Sequence, residues 1–426
     1  MKFSAYRISN LVKSMEQKAI ILGGGIAGLV CTRELAAVGV HCTIVEKGPI
    51  LGGHAARFAC KATDTCQRCG ACSVEDLLHS VAATSTVTIM PRTTLTDVQR
   101  ENGQFHAVVL TRPPRIVPES CDCCGACREI CPVPGALLYS PFERCFVIDE
   151  DRCLFFQEGS CRLCVDACQR NAIQLTAPGK TQTVSGSIII LATGFRPYDP
   201  SERPRLGYGR IAGVVSAAEL DALLRSGSWS PPVTAQEGCR VAFIQCVGSR
   251  DAKIGRNYCS QVCCGYALRM ARLLHYRFPY LETTMFYMDI QNFQREFAKV
   301  QQEVAKEIRL IRAIPSEVRM SEDGRPELVY QTEHDTKATE PFDMVILSVG
   351  IAPDPGVRTL QQLLGIQRNL DGFLGEDNES VLTTVPGVFV AGTVQGPRSI
   401  PDTASHALCA AAAALQYLTS MNGALR

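Results

Sequence analysis

The alternation of apolar runs and polar turns near the start of the chain predicts a strand, a glycine-rich turn, a helix and a second strand. An apolar strand over 18–22 leads into a turn over 23–28, and apolar residues then recur at helical spacing over 29–38. A second apolar strand over 41–45 ends at the acidic residue Glu46. Strand, turn, helix and strand in this order, with glycines in the turn, are typical of a dinucleotide-binding domain.

Three glycines of the turn and the acid have separate roles in such a domain. Gly23 permits the tight turn, Gly25 lets a pyrophosphate approach the helix N-terminus, and Gly28 allows close packing of the helix. Glu46 follows Gly25 by 21 residues and is placed to bond the ribose hydroxyls of an adenosine. The alternative is a purely structural glycine-rich turn, which the flanking strands and the acid disfavour.

Three later segments repeat a strand that ends in a turn of small residues. They lie at 188–194, 344–350 and 387–393, and the last of them leads into a helix that starts near Asp402. Taken singly, each segment could be an ordinary connection of a doubly wound sheet. Together with the first unit they predict an α/β protein with Rossmann-like domains.

Composition and charge exclude several classes of protein. The chain has 426 residues, of which 46% are apolar and 20% charged, which is enough core for more than one domain. Its formal charge is +1, which gives no case for a nucleic-acid-binding protein. Residues 1–17 form a predicted N-terminal tail without the apolar run of a signal peptide, and no uncharged apolar stretch reaches the roughly 18 residues of a membrane span. We therefore expect a cytoplasmic protein that does not insert into a membrane.

The 22 cysteines change this picture most. Disulfides are disfavoured in a reducing cytoplasm, so clustered cysteines are expected to bind metal. The bacterial ferredoxin run C-x2-C-x2-C-x3-C-P is matched by Cys121, Cys124, Cys127, Cys131 and Pro132. This run predicts iron–sulfur chemistry.

A second run, with a longer first gap, follows at Cys153, Cys161, Cys164 and Cys168. In two-cluster ferredoxins the fourth cysteine of each run ligates the other cluster. Two [4Fe-4S] clusters are therefore predicted, one on Cys121, Cys124, Cys127 and Cys168, the other on Cys153, Cys161, Cys164 and Cys131. A zinc ribbon is the alternative, and this ligand order disfavours it.

A third group, which we call the N-terminal thiol group, consists of Cys60, Cys66, Cys69 and Cys72. Its spacing ends in C-x2-C-x2-C but lacks the closing C-P, and it predicts a further [4Fe-4S] cluster. A structural zinc site, or three cysteines with a different fourth ligand, are the alternatives.

The repeated strands and turns resemble the two-dinucleotide-domain flavoprotein disulfide reductases, thioredoxin reductase in particular. In that family the first glycine motif binds FAD, and the strand and helix near the C-terminus close on the flavin. The family's second domain opens with a glycine motif for NAD(P)H, whereas here the strand over 240–244 runs into a turn over 245–250 that carries Cys246. The nicotinamide site is therefore expected to be lost.

Two segments around that turn, 243–251 and 258–264, resemble the A subunit of heterodisulfide reductases more closely. The likeness extends to 207–209, 288–290, 395–397 and 400–403. The resemblance implies an unusual [4Fe-4S] cluster beside the flavin, held by Cys246, Cys259, Cys263 and Cys264. A strained vicinal thiol pair, or plain core packing, is the alternative for the last two.

The resemblance also implies a set of FAD-binding residues. They are Gly23, Gly25, Ile26, Ala27, Gly28, Glu46, Lys47, Gly52, Gly53, Thr193, Gly194, Gly392, Thr393, Ile400, Pro401, Asp402 and Thr403.

Two departures from the family bear on mechanism. Members that split electron pairs have a lysine five residues after the paired cysteines, near the reactive edge of the flavin, and this chain has Arg269 there. Arg269 is thus a candidate to tune the flavin, but it stays charged and cannot donate a proton as lysine can. The sequence also ends without the additional C-terminal ferredoxin domain of longer members. Both departures weaken the expectation of electron bifurcation.

The expected domain order follows from these assignments. The predicted parts are a tail (1–17), a first FAD-domain segment (18–112), an inserted two-cluster ferredoxin domain (113–178), a second FAD-domain segment with a connection (179–235), a second Rossmann-like domain (236–340) and a third FAD-domain segment (341–426).

The expected function is that of an FAD and [4Fe-4S] electron-transfer subunit of a heterodisulfide-reductase-like complex. Implied partners are proteins like the B and C subunits of heterodisulfide reductases and electron carriers linked to a hydrogenase, a formate dehydrogenase or a reductase, with a homodimer inside the larger complex. Alternatives are a subunit of a quinone-linked or benzoyl-CoA reductase type complex, a stand-alone NAD(P)H flavoenzyme, and a non-catalytic relay.

Six cysteines fall outside the four groups. Cys31, Cys42 and Cys409 are expected to pack as small buried residues, while Cys123, Cys145 and Cys239 have no predicted role.

Overall fold

Two parallel five-stranded sheets, each with helices against it, make up the framework of the computed structural model. The structure describes residues 17–133, 135–140, 143–227, 229–232, 238–291, 297–376 and 380–423. The predicted N-terminal tail lies outside the described residues except for Gln17. That residue is buried, and its Nε2 donates to the Leu418 carbonyl oxygen at 3.2 Å.

The strands have the following bounds: β1 (Lys18–Leu22), β2 (His41–Val45), β3 (Val87–Met90), β4 (Thr93–Glu101), β5 (Gln104–Thr111), β6 (Leu137–Ser140), β7 (Cys145–Ile148), β8 (Lys180–Gly186), β9 (Ile188–Leu191), β10 (Phe195–Pro197), β11 (Val214–Ser216), β12 (Cys239–Val247), β13 (Leu281–Phe286), β14 (Arg309–Ile311), β15 (Glu317–Met320), β16 (Pro326–Gln331), β17 (Lys337–Pro341), β18 (Met344–Val349), β19 (Ile351–Pro353) and β20 (Val388–Val390).

The α-helices are α1 (Ile26–Ala37), α2 (Ser73–Ala82), α3 (Ala126–Glu129), α4 (Leu154–Glu158), α5 (Leu163–Asp166), α6 (Ala217–Ser226), α7 (Cys263–Arg277), α8 (Phe297–Val304), α9 (Val357–Leu364) and α10 (Ile400–Gly423).

The first sheet has the strand order β20-β9-β1-β2-β3, with all pairs parallel. Successive side chains of β1 point to opposite faces. Ile21 packs with α1, α2 and α10 on one face, and Ile20 packs with β5 and α9 on the other. Because both faces are covered, the central strands are continuous apolar runs.

The second sheet has the order β11-β18-β12-β13-β14 and is also parallel. On one face Phe243 packs with α6 and α7, and on the other Ile244 packs with Phe286 and Phe342. The fold class predicted from the sequence, Rossmann-like sheets in an α/β protein, is confirmed for these two sheets.

The segment over 112–179 connects β5 and β8, two paired strands of a small three-stranded sheet. Strand β5 pairs antiparallel with β4 and with β8, and Thr111 is the register partner of Lys180. Between these two residues the chain forms its own hairpin, β6 with β7, and its own apolar core around Ile116, Phe146 and Ile173. Three ion pairs then hold this segment to the first sheet domain: Lys47–Asp151, Arg57–Asp149 and Arg92–Glu143.

Two predicted element bounds were wrong by a few residues. Helix α1 begins at Ile26 and not at residue 29, because Gly25 is its N-cap. Strand β12 continues through Val247, so Cys246 lies within the strand at an irregularity in its pairing with β18, and not in a turn. The helix expected to start near Asp402 is α10, which begins at Ile400.

Candidate functional site

The predicted nucleotide-binding turns lie together at the carboxyl ends of three neighbouring strands. The 23–28 turn follows β1, Thr193 and Gly194 follow β9, and Gly392 and Thr393 follow β20. An alanine-like Cβ on Gly194 would come within 3.9 Å of Thr393 Oγ1. Ligands of open parallel sheets bind at this edge.

The glycines of the first turn are required by close approaches of the backbone. A Cβ on Gly28 would lie 1.9 Å from the Gly23 carbonyl oxygen, and a Cβ on Gly23, which has φ +102°, would lie 2.4 Å from the Ala192 oxygen. The N-terminus of α1 has no side-chain cap at Gly25 and no acidic residue in its first turn. Its free N–H groups and positive end therefore suit a phosphate.

Gly52 and Gly53 form the wall opposite this turn. The Gly52 N–H donates to the Gly24 oxygen at 2.7 Å, and a Cβ on Gly53 would lie 3.1 Å from the Gly25 Cα. The two turns approach so closely that a side chain on either would fill the space between them.

Glu46 is held by two hydrogen bonds from the backbone. Its Oε2 accepts the Gly24 N–H and its Oε1 accepts the Gly48 N–H, both at 2.6 Å. Burial raises the pKa of Glu46, although the two N–H bonds oppose this effect. Lys47 points to the inserted segment, with its Nζ 2.8 Å from Asp151 Oδ2.

The N-terminus of α10 and the turn after β20 are in contact. A Cβ on Gly392 would lie 2.7 Å from the Ala27 Cβ and 3.0 Å from Thr403 Cγ2. Asp402 receives a hydrogen bond from Ser399 Oγ at 2.5 Å, and Ile400 and Pro401 lie against Gly70. Among the residues described, the buried Thr193 Oγ1 has no hydrogen-bond partner, which fits a polar ligand at this edge.

His406, on the second turn of α10, presents a donor at the same place. Its Nδ1 accepts the Gly392 N–H at 2.9 Å, so the neutral ring carries its proton on Nε2. That buried Nε2 has no partner within the described ranges. Burial lowers the pKa of His406 to about 4, and the charge of Arg398 adds to the effect, so the ring is neutral at pH 7.

The His406 pKa predicts a pH dependence of stability. As the pH falls from about 6.5 to about 4, the unfolded chain binds a proton that the folded ring does not, so the free energy of unfolding of the flavin-free protein decreases across this window. His54, whose pKa burial also lowers, acts in the same direction. We expect His406→Asn to reduce this dependence, measured by urea unfolding at several pH values, whereas an unchanged dependence would contradict the assignment.

Two cavities in the inserted segment are lined by cysteines in the sets that the spacing predicts. The lining of one includes Cys121, Cys124, Cys127 and Cys168. The lining of the other includes Cys131, Cys153, Cys161 and Cys164. Each cavity thus combines three cysteines of one run with the last cysteine of the other.

Burial keeps two of the thiols in these cavities neutral. It raises the pKa of Cys127 and of Cys164 to about 11, with the neighbouring cysteines contributing. Since only thiolates ligate metal, loading a centre here must release protons and gain its stability from the metal.

One backbone arrangement recurs in three cysteine groups. Two residues after Cys66, Cys121 and Cys259, a residue with positive φ donates its N–H to the sulfur at 3.3–3.4 Å; these residues are Arg68, Cys123 and Gln261. The same left-handed turn therefore presents sulfur to a site in each of the three groups.

The N-terminal thiol group lies on a loop before α2. Cys60, Cys66 and Cys72 are exposed, and Cys69 is half-buried. A buried ion pair anchors the start of the loop: Lys61 Nζ lies 2.5 Å from Asp221 Oδ1, and the same oxygen accepts the Ala59 N–H at 2.9 Å. The two residues that flank Cys60 are thus fixed to α6.

The four cysteines of the second sheet gather at the first turn of α7. Cys263 and Cys264 begin the helix and are buried, and Cys246 has φ +59° at the end of β12. Burial raises the pKa of Cys246 to about 12, with Cys264 and Cys259 contributing and Arg250 opposing. Arg250 and Asp289 form a two-bond ion pair beside these cysteines.

The turn after β12 offers no room for a second dinucleotide at its glycine. A Cβ on Gly248 would lie 2.0 Å from Tyr198 Cγ, so the tyrosine ring covers this backbone. Next to Cys246, the carboxamide of Gln245 is buried, and neither of its polar atoms has a partner among the residues described. Sequence reasoning did not single out Gln245; its place beside Cys246 in an apolar strand is the signal that could have done so.

Arg269 lies near the N-terminal thiol group. Its Nε donates to the Gln67 carbonyl oxygen at 2.9 Å and its Nη1 to the Gly265 oxygen at 3.2 Å. Gln67, which sequence reasoning also missed, lies between two cysteines of that group and is 7% exposed.

The remaining cysteines divide differently from the prediction. Cys31 and Cys42 are buried as expected, but the expectation for Cys409 was wrong, since it is exposed on the outer face of α10. Its alanine neighbours Ala407, Ala410 and Ala411 take the buried face. Cys123 Sγ donates to the Arg144 carbonyl oxygen at 2.9 Å.

Within the described ranges, no three His, Cys, Asp or Glu side chains converge closely enough to hold a single metal ion. In the same part of the chain, every helix is too short or too polar to cross a bilayer.

Known proteins resemble this chain over most of its length. The A subunit of the H2:CoB-CoM heterodisulfide,ferredoxin reductase of Methanothermobacter marburgensis is 34% identical over 94% of this chain, and the iron-sulfur A subunit of the CoB–CoM heterodisulfide reductase of Methanocaldococcus jannaschii is 32% identical over 94%. The predicted resemblance to the A subunit of heterodisulfide reductases is thus confirmed. The chain spans 64% of the length of each of these two relatives.

Solved structures show the same fold. Thioredoxin reductase of Lactococcus lactis matches with a TM-score of 0.55 at 16% identity, covering 95% of this chain and 99% of that one. A family profile described as "NAD(P)-binding Rossmann-like domain" matches residues 21–71. A second, "Pyridine nucleotide-disulphide oxidoreductase", matches residues 143–411. The chain therefore belongs to the pyridine nucleotide-disulphide oxidoreductase family.

Proposed function

We propose that this chain is an electron-transfer subunit of a heterodisulfide-reductase-like complex that binds FAD and [4Fe-4S] clusters. When bound, FAD exchanges electrons in pairs or singly, and the clusters exchange them singly with partner subunits. The observation that carries the proposal is the pair of cysteine-lined cavities, because each collects four thiols in the crossed order of a two-cluster ferredoxin.

The first sheet supports the FAD part of the proposal. Its carboxyl edge combines an uncapped helix N-terminus, glycines whose side chains would collide with the backbone, and the acid Glu46. Buried donors and acceptors without partners in the described chain, Thr193 Oγ1 and His406 Nε2, fit a polar ring system there. In this proposal the chain's residues bind and orient the flavin, and His406 holds its proton on Nε2.

The domain assignments are part of the proposal. The first sheet takes β1, β2 and β3 from the first FAD-domain segment (18–112), β9 from the second (179–235) and β20 from the third (341–426), and the ferredoxin domain (113–178) is inserted between β5 and β8. Strands β11 and β18, which these bounds assign to the second and third segments, lie in the second sheet. The second Rossmann-like domain (236–340) carries the flavin-proximal cysteines in place of a nicotinamide site.

A stand-alone NAD(P)H flavoenzyme is the competing function. The turn after β12 disfavours this function, because the Tyr198 ring covers Gly248 where a dinucleotide would need to approach.

We further propose that the chain binds redox partner subunits, forms a homodimer within the complex and is located in the cytoplasm.

Anaerobic purification from the native source tests this proposal. We expect co-purifying redox subunits, about one FAD, and about sixteen iron atoms per chain if four clusters are present. A count of about eight iron atoms would contradict the N-terminal and flavin-proximal clusters. A ferredoxin segment without iron would overturn the proposal. Bleaching of the isolated flavin by NADH or NADPH would favour the competing function.

A further inference from the structure

Hydrogen bonds of Gln67 hold the loop of the N-terminal thiol group in place. This side chain is 7% exposed, and its Nε2 donates to Thr63 Oγ1 at 3.1 Å and to the Thr65 oxygen at 3.3 Å. Its main-chain oxygen and its Oε1 accept hydrogen bonds from a different part of the chain. Main chain and side chain together thus fix the residue between Cys66 and Cys69.

Both of those acceptor bonds come from arginines one turn apart on α7. Arg269 Nε donates to the main-chain oxygen of Gln67 at 2.9 Å, and Arg272 Nη1 lies 3.3 Å from its Oε1. The two arginines differ in their surroundings. Arg272 pairs with Glu303 at 3.0 Å and Glu307 at 3.7 Å, whereas Arg269 is 7% exposed and its Nη1 donates to the Gly265 oxygen of its own helix at 3.2 Å.

The same loop touches the helix that closes on the flavin site. A Cβ on Gly70 would lie 3.2 Å from Ile400 Cγ2 and 3.6 Å from Pro401 Cδ. The N-terminal thiol group is therefore wedged between α7, whose first turn carries Cys263 and Cys264, and the first turn of α10.

We propose that Arg269 is a positioning residue for the N-terminal thiol group: it fixes the loop to α7 and holds a positive charge at Gln67, between Cys66 and Cys69, which favours the reduced form of an iron–sulfur centre held there. This inference rests on the proposed function. It assigns the charge of Arg269 to the N-terminal centre. The position of Arg269 after the paired cysteines had instead suggested a role at the flavin.

The physical basis is the charge change on reduction. One-electron reduction makes a thiolate-ligated centre more negative by one charge, and a cation in a buried, low-dielectric setting stabilises that charge more than it would in water. Arg269 is 7% exposed, so its guanidinium lies in such a setting. The charge of Arg272 is shared with two carboxylates, so its effect on the centre should be smaller.

The test is a potentiometric titration of the anaerobic holoprotein followed by electron paramagnetic resonance. Cys69→Ser identifies the signal of the N-terminal centre. We expect Arg269→Met to lower the midpoint potential of that centre by about 59 mV or more, which is a tenfold change in its ratio of oxidised to reduced forms. Arg269→Lys, which keeps the charge, should retain a midpoint potential close to that of the wild type. Arg272→Met is the matched control and should shift the potential much less.

Other outcomes overturn the inference. A shift of the flavin potential with the N-terminal centre unchanged would assign Arg269 to the flavin, and equal shifts in Arg269→Met and Arg272→Met would show that its charge has no special role. If Arg269→Met loses the centre, Arg269→Gln, which keeps a donor for Gln67 without the charge, measures the same shift. A wild-type iron count that excludes the N-terminal centre overturns the proposed cluster itself, and this is visible before any variant is made.

Discussion

Gly28→Ala is expected to purify with less than about a tenth of the wild-type flavin, a loss that corresponds to at least about 1.4 kcal/mol of binding free energy. The added Cβ would lie 1.9 Å from the Gly23 carbonyl oxygen, so helix α1 must move away from the turn after β1. The helix N-terminus then no longer faces the phosphate position. Flavin absorbance per chain after gel filtration measures the effect.

A second glycine provides the matched control. Gly39 has φ +91° and nothing within 4 Å of an added Cβ, so Gly39→Ala introduces backbone strain of about 1–2 kcal/mol without a collision. We expect that variant to keep its flavin, and both variants to keep the iron of the ferredoxin segment. Wild-type flavin in Gly28→Ala would contradict the assignment of this turn to FAD.

Lys61→Met is expected to lower the free energy of unfolding by about 3–5 kcal/mol, because it leaves the Asp221 carboxylate buried without its cation. The side chains of the pair are only 5% and 10% exposed. Since Asp221 also accepts the Ala59 N–H, the loop that presents Cys60 should loosen, and the variant should lose the iron of the N-terminal thiol group. Urea unfolding and iron analysis of the anaerobic protein measure both effects.

Two variants separate this mechanism from a general loss of charge. Lys61→Met combined with Asp221→Leu removes both charges and should recover much of the stability, since a buried pair replaced by apolar residues costs little. Arg33→Met breaks the exposed pair with Glu34 and should change stability by less than about 1 kcal/mol. A similar loss in Lys61→Met and Arg33→Met would contradict the role of burial.

The parts of the fold that local patterns determine could be predicted from the sequence. The unit from β1 to β2 follows from apolar runs around a glycine turn, and the crossed cysteine sets of the two cavities follow from spacing alone. The helix start was misplaced because Ile26 and Ala27 read as part of the turn, although the helix already begins at the residue after Gly25.

Contacts between distant parts of the chain could not be predicted in this way. Gln67 and Arg269 are separated by 202 positions, and Lys61 and Asp221 by 160, so no local periodicity relates them. Family resemblance suggested the flavin as the neighbour of Arg269, but its guanidinium contacts a loop of another cysteine group. Cys409 was misplaced for a different reason: in an alanine-rich helix, small residues occupy both faces, and composition does not tell which face is buried.

The register partnership of Thr111 with Lys180 has a consequence for how the chain could have been assembled. For the sheet of β4, β5 and β8, everything between these two residues is equivalent to a hairpin turn, because the strands on either side are already paired neighbours. Exchanging a tight turn for a longer excursion costs little closure entropy, since that cost grows only with the logarithm of length. A gene for the host domain could therefore acquire, exchange or lose a segment such as 112–179 at this point without altering any strand of the host.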